Sequence, residues 1–122
     1  MTKKILIVDD EPLVLMGVEA MVESLGFETV AVSSGNSALE ILQNDADIAA
    51  MITDQTMPDI SGDQLIAAAR KLNPNLPALI MTGRSDMAKD MPINTGLLQK
   101  PFSTSEVEFA LGAVLEAYNQ AQ

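Results

Sequence analysis

The chain has 122 residues, 48% of them hydrophobic, with 17 acidic against 7 basic side chains and a formal charge of −10. That length suits one domain with its own core, and the acid excess offers no basic footprint for nucleic acid or for an anionic membrane surface. The absence of Cys and His excludes a thiol nucleophile, an imidazole base, a Ser-His-Asp triad and the usual zinc ligands, so any metal must be a hard cation held by oxygen.

Short apolar runs alternate with longer stretches of helical period, the pattern of an α/β domain on a mainly parallel sheet. Met1-Thr2-Lys3-Lys4 leads into Ile5-Leu6-Ile7-Val8, an apolar run too short for a secretory signal but right for a strand covered on both faces. The first helix opens with Pro12 at its first position, carries Val14, Val18, Met21, Val22 and Leu25 on one stripe, and stops at Gly26. Residues 29–32 read as the second strand, and Ala38, Ile41 and Leu42 mark the second helix. The third strand covers 49–53, and Leu65, Ile66, Ala69 and Leu72 mark the third helix.

Ala78-Leu79-Ile80-Met81 is a fourth strand, again apolar throughout. Residues 83–95 have a weak apolar period, and Pro92 ends any helix at or before Met91, which predicts a short or irregular fourth helix. A weaker fifth strand, Gly96-Leu97-Leu98, precedes the capping run Ser103-Thr104-Ser105-Glu106 and a last stripe of Val107, Leu111, Val114, Leu115 and Tyr118. No run approaches the roughly 20 apolar residues of a membrane span. Five βα units are therefore expected to fill 1–122 as a single domain without an effector domain, soluble and cytoplasmic.

In open parallel sheets the ligand site lies beyond the carboxyl ends of the strands, and right-handed crossovers put those ends on one edge. Strand one is followed by Asp9-Asp10-Glu11, strand three by Asp54, strand four by Thr82-Gly83 and strand five by Gln99-Lys100-Pro101. Taken singly, each has an ordinary explanation: a solvated helix N-terminus for Asp9-Asp10, a turn or cap for Asp54, a plain turn for Thr82-Gly83. Their placement at successive strand ends weighs against all of these together. Clustered carboxylates repel unless a cation joins them, and Mg²⁺ is the matching ion, commonly bridging one or two carboxylates to a phosphate. An Asp oxygen is then a competent nucleophile toward phosphorus, with the metal and the Lys100 ammonium neutralising the transferring group and Thr82 donating to it.

Val8-Asp9-Asp10-Glu11-Pro12, Thr53-Asp54-Gln55-Thr56-Met57-Pro58 with Gly62, Met81-Thr82-Gly83 and Lys100-Pro101-Phe102 closely resemble the response-regulator receiver domain of two-component and phosphorelay signalling. The match spans essentially the whole chain. The resemblance implies a flavodoxin-like five-stranded parallel sheet of order 2-1-3-4-5 with helices on both faces. It makes Asp54 the phosphoacceptor and assigns Asp9, Asp10, Asp54 and the Thr56 backbone carbonyl to Mg²⁺. Thr82 becomes the switch hydroxyl and Lys100 the salt-bridge partner of the phosphoryl group, with a cis bond before Pro101. The implied partners are a sensor histidine kinase or histidine phosphotransfer protein and a downstream protein target, with no nucleic acid and no membrane. Catalysis is confined to the domain's own phosphorylation and dephosphorylation.

Two departures bear on output. Leu97 stands where many receivers carry an aromatic residue that reorients on activation, and leucine lacks that large rotamer swing. The stretch from Thr82 to Lys100 is also shorter than typical by roughly one helical turn of about 3.6 residues. Arg84 lies two residues beyond Thr82 and Thr56 two beyond Asp54, and the resemblance implies that both positions flank the site and tune phosphoryl lifetime. Leu13, Met16 and Ala20 form a second apolar line on the first helix, offset by roughly 120° from the core stripe, and are a candidate docking strip for a histidine-bearing helical partner. The alternative function is a constitutive receiver-fold interaction module whose output does not depend on phosphorylation. A Mg²⁺-dependent phosphatase of the haloacid-dehalogenase type would want Asp-x-Asp on the first strand, a spacing that Asp9-Asp10 does not supply.

Overall fold

The computed structural model describes residues 3–83, 91–92 and 94–121. The elements are β1 (Lys4–Val8), α1 (Pro12–Ser24), β2 (Glu28–Val32), α2 (Gly35–Asn44), β3 (Ile48–Asp54), α3 (Gly62–Leu72), β4 (Ala78–Thr82), β5 (Thr95–Gln99) and α4 (Thr104–Ala121). The five strands are parallel and ordered β2-β1-β3-β4-β5. The fourth helix expected between β4 and β5 falls on residues 84–90 and 93, outside the described residues.

Strand alternation sends successive side chains to opposite faces, and the core divides accordingly. Leu6 and Val8 of β1 pack with Met51, Ile80 and the inner stripes of α2 and α3 (Ala38, Leu65, Ile66, Ala69). Ile5 and Ile7 face the other way, with Ala50, Ile52, Leu79 and Met81, against Val18 and Val22 of α1 and Val107 and Leu111 of α4. Each large side chain buried this way contributes about 1.5–3 kcal/mol against exposure. β4 is buried at every residue, whereas the edge strands β2 and β5 are mostly half-buried. Leu72 departs from its expected core place: it is the last residue of α3, one turn beyond buried Ala69, and stays 47% exposed.

Local chemistry sets the helix ends. Pro12 opens α1, and Gly26, at φ +97°, ends it in the left-handed conformation that glycine adopts without steric cost. Ser34 Oγ accepts the Ser37 N–H at 3.1 Å at the start of α2. At α4, Ser103 Oγ accepts the Glu106 N–H at 3.2 Å while Glu106 Oε1 accepts the Ser103 N–H at 3.0 Å, a reciprocal cap. Among the described residues no helix is long and apolar enough to cross a membrane.

Candidate phosphoryl and metal site

β1 and β3 are neighbours, with Val8 beside Thr53 in register, so the residues that follow each strand emerge together. Asp9, Asp10 and Asp54 accordingly bring one carboxylate oxygen each to within 4.8 Å of one another. Asp9 is fully buried and Asp54 nearly so, while Asp10 is exposed at the mouth. Asp54 pairs in register with Met81 of β4, and Thr82, one residue further, is buried beside it. β5 delivers Lys100: its backbone N–H donates to the Thr82 carbonyl at 2.7 Å, which fixes where the side chain starts. Its Nζ then donates to Asp54 Oδ1 at 3.0 Å and lies 3.7 Å from Asp9 Oδ2. The Lys100-Pro101 bond is cis.

The electrostatics are unbalanced. Burial pushes the Asp9 carboxyl above its ordinary value and neighbouring Asp54 adds to the rise, although the Glu11 N–H, donating to Asp9 Oδ1 at 2.9 Å, and Lys100 oppose it. Burial also works to lower the Lys100 pKa, but the Asp54 hydrogen bond and the charges of Asp54, Asp9 and Glu11 outweigh it, so the ammonium is held above its ordinary value. One cation therefore serves several acids. Among the described residues Asp9 Oδ2 is buried with no hydrogen-bond partner, and a buried carboxylate oxygen left this way is costly. An all-oxygen donor set that includes a buried carboxylate short of hydrogen bonds fits a small hard cation.

The loop from β3 to α3 packs tightly below the site. Gly62 N–H donates to the Gln55 carbonyl at 2.8 Å, and a Cβ on Gly62 would lie 2.5 Å from the Asp54 carbonyl oxygen. Thr56 is exposed, two residues past Asp54. Leu97, half-buried on β5 opposite Ile80, lines a shallow hollow of about 300 Å³ with Phe109 of α4, which is itself 81% exposed. Pro101 is exposed. Leu13 and Met16 are 84% and 64% exposed, and Ala20 is exposed on the same helix. Arg84 lies outside the described residues.

Sequence reasoning missed several polar ties. Asp59 accepts the Asn36 N–H at 3.0 Å and the Gly35 N–H at 3.4 Å, capping α2 from the β3–α3 loop; a cap donated across 23 residues leaves no local pattern. Arg70 of α3 donates to the carbonyls of Leu76 and Asn94 and to Thr95 Oγ1, anchoring the start of β5. The Gln55–Asp63 pair, joined by two bonds, was equally invisible. Ser61-x-x-Gln64 carries a capping signature that the sequence reading also passed over, with Gln64 Oε1 accepting the Ser61 N–H at 3.3 Å.

Comparison with known proteins agrees with this geometry. Residues 5–111 match the family profile of the response regulator receiver domain. The heme response regulator HssR of Staphylococcus saprophyticus is 35% identical over 119 residues, covering 93% of this chain and 52% of that protein. The sensor kinase CckA of Brucella abortus is 29% identical over 117 residues, covering 92% of this chain and 12% of that protein. The chain thus spans about half or less of the curated relatives it matches. Among solved structures, a response regulator receiver protein from Sinorhizobium medicae superposes with a TM-score of 0.87 at 30% identity, covering 96% of this chain and 97% of that one.

Proposed function

The chain belongs to the response regulator receiver domain family of two-component signalling, and from that membership we propose that it accepts a phosphoryl group on Asp54. The donor is a phosphohistidine on a sensor histidine kinase or histidine phosphotransfer protein. One observation carries the reading: Lys100 Nζ sits 3.0 Å from Asp54 Oδ1 beside a three-carboxylate cluster in which the buried Asp9 Oδ2 has no hydrogen bond among the described residues. In the transfer, an Asp54 carboxylate oxygen bonds to phosphorus as the donor's N–P bond breaks, and the electron pair returns to the imidazole nitrogen. Asp9, Asp10, Asp54 and the Thr56 carbonyl would hold Mg²⁺, which supplies charge neutralisation for the transferring oxygens. Lys100 is already placed against the accepting carboxylate, and Thr82 ends the neighbouring strand where its hydroxyl donates to the phosphoryl group. Attack of water on phosphorus later returns free carboxylate and inorganic phosphate.

The donor docks on α1. That helix begins three positions after Asp9 and carries exposed Leu13, Met16 and Ala20, so a partner helix lying along it reaches the site. Output follows by contact with a downstream protein or by onward phosphotransfer. A module that binds without phosphorylation has no use for a buried, incompletely paired acid cluster, which costs stability to maintain. The test exposes wild type and Asp54→Asn to a small phosphodonor with and without Mg²⁺, followed by intact mass. A single phosphoryl adduct on wild type only, and only with Mg²⁺, is expected. An adduct on the Asn variant, or on wild type stripped of Mg²⁺, sinks the reading.

A further inference from the structure

Gln55 directly follows Asp54, and its side chain makes both of its bonds to one residue across the β3–α3 loop. Nε2 donates to Asp63 Oδ1 at 2.9 Å and Oε1 accepts the Asp63 backbone N–H at 3.0 Å. One partner atom is an acceptor and the other a donor, so a flipped amide would lose both bonds. Ser61 Oγ donates to the same Asp63 Oδ1 at 2.6 Å, fixing the carboxylate from the loop side. The main chain doubles the link, with Gln55 N–H donating to the Met81 carbonyl at 3.1 Å and the Gln55 carbonyl accepting from Gly62 at 2.8 Å. The two peptides held this way carry the Asp54 carbonyl on one side of Gln55 and lead to Thr56 on the other.

We propose that Gln55 is a positioning residue for the phosphoryl site: its two-bond clamp on Asp63 sets the aim of the Asp54 carboxylate and the Thr56 carbonyl without touching either group's ligand. The proposal rests on the roles assigned to Asp54 and Thr56 above. Without the clamp, the backbone bonds to Met81 and Gly62 still hold the Gln55 peptide group, but the loop gains freedom just beyond it. The effect therefore falls on oxygen-ligand geometry more than on the fold.

Mg²⁺ titration by calorimetry tests this directly, beginning with wild type. Gln55→Leu keeps much of the volume and neither bond. It is expected to weaken Mg²⁺ about tenfold, the usual scale for losing a group that orients a metal ligand, and to slow phosphorylation at low Mg²⁺ with recovery at saturation. Gln55→Glu sets two carboxylates against each other and weakens binding further. Gln55→Glu with Asp63→Asn keeps the bond from the residue 63 backbone N–H, re-forms the side-chain bond with donor and acceptor exchanged at the net charge of wild type, and restores most of the affinity. Ser61→Ala, which leaves the clamp intact, lowers thermal stability and spares Mg²⁺ affinity. Should Gln55→Leu not fold, the Gln55→Glu and double-variant comparison carries the same test. A wild type that neither binds Mg²⁺ nor gains an adduct overturns the phosphoryl reading itself. A normal wild type with Gln55→Leu equal to it, or a folded double variant that fails to recover, overturns the clamp alone.

Discussion

Lys100 Nζ reaches Asp54 Oδ1 at 3.0 Å from 46 residues away in sequence, and it also lies 3.7 Å from Asp9 Oδ2, a cation set against two of the three clustered acids. Lys100→Met keeps the side-chain length and removes the charge, leaving Asp9, Asp10 and Asp54 within 4.8 Å of one another. Losing one partner of a fully buried pair costs about 3–5 kcal/mol. The Lys100 side chain is 26% exposed, so screening reduces the expected loss to about 1–2 kcal/mol at neutral pH. Urea unfolding in chelator measures it. Adding Mg²⁺ to about ten times its Kd stabilises by about 1.4 kcal/mol and offsets much of the loss. Unchanged stability in chelator would show that Lys100 does not compensate the cluster.

Two glycines should respond in opposite directions. A Cβ on Gly62 meets the Asp54 carbonyl oxygen at 2.5 Å and Gln55 Cα at 3.0 Å, both backbone atoms with no room to yield. Gly62→Ala is therefore expected to destabilise by about 1–3 kcal/mol and to displace the peptide that carries Asp54, lowering the rate of the proposed phosphorylation. Gly17, mid-helix in α1, has nothing within 4 Å of its Cβ position. Gly17→Ala relieves a helix-interior cost and should stabilise by about 0.5–1 kcal/mol. Thermal melts of the two variants decide it, and a destabilised Gly17→Ala would mean the helix is more crowded there than its geometry shows.

The site was legible in the sequence because its residues follow strands. Asp9, Asp54, Thr82 and Lys100 each sit at or just past a strand end, and parallel connectivity converts that shared position into one cluster. The fold was legible for a related reason: β1 and β4 are buried on both faces, so apolarity alone marks them. What stayed hidden depends on pairing across distance. Asp59 reads as one more surface acid until α2 is brought against the loop. Gln55 reads as a solvent-facing residue until Asp63 lies opposite it. Leu72 fits the apolar period of α3, but the period does not say where the buried face ends.

The Asp59 cap gives a pH signature. The Asn36 N–H, assisted by the Gly35 N–H and opposed by slight burial, holds the Asp59 carboxyl below its ordinary value of 3.8. A carboxyl depressed in the folded state is protonated first in the unfolded chain as pH falls. Its stabilisation is therefore complete above the ordinary value and is lost as pH drops through the folded one. Asp59→Ala is expected to cost about 0.5–1 kcal/mol at neutral pH, and the gap to wild type should narrow below pH 3.8. A gap that stays constant into acid would assign the loss to something other than the charged cap.

Leu13 and Met16 allow the proposed docking to be separated from folding. At 84% and 64% exposure they contribute little to the core, so Leu13→Ala with Met16→Ala should leave the melting temperature within about 0.5 kcal/mol of wild type in stability terms. Phosphorylation by a small donor needs no docking and should also be unchanged. Transfer from a phosphorylated histidine phosphotransfer protein does need it. If the proposed docking on α1 holds, losing two apolar contacts at its centre removes about 1–3 kcal/mol of binding, or roughly 5- to 150-fold in transfer efficiency below saturation. Comparing small-donor and protein-donor rates on one preparation isolates the contact from the chemistry. Equal losses from both donors would place the defect in the acid site, and no loss from either would remove α1 from the donor's path.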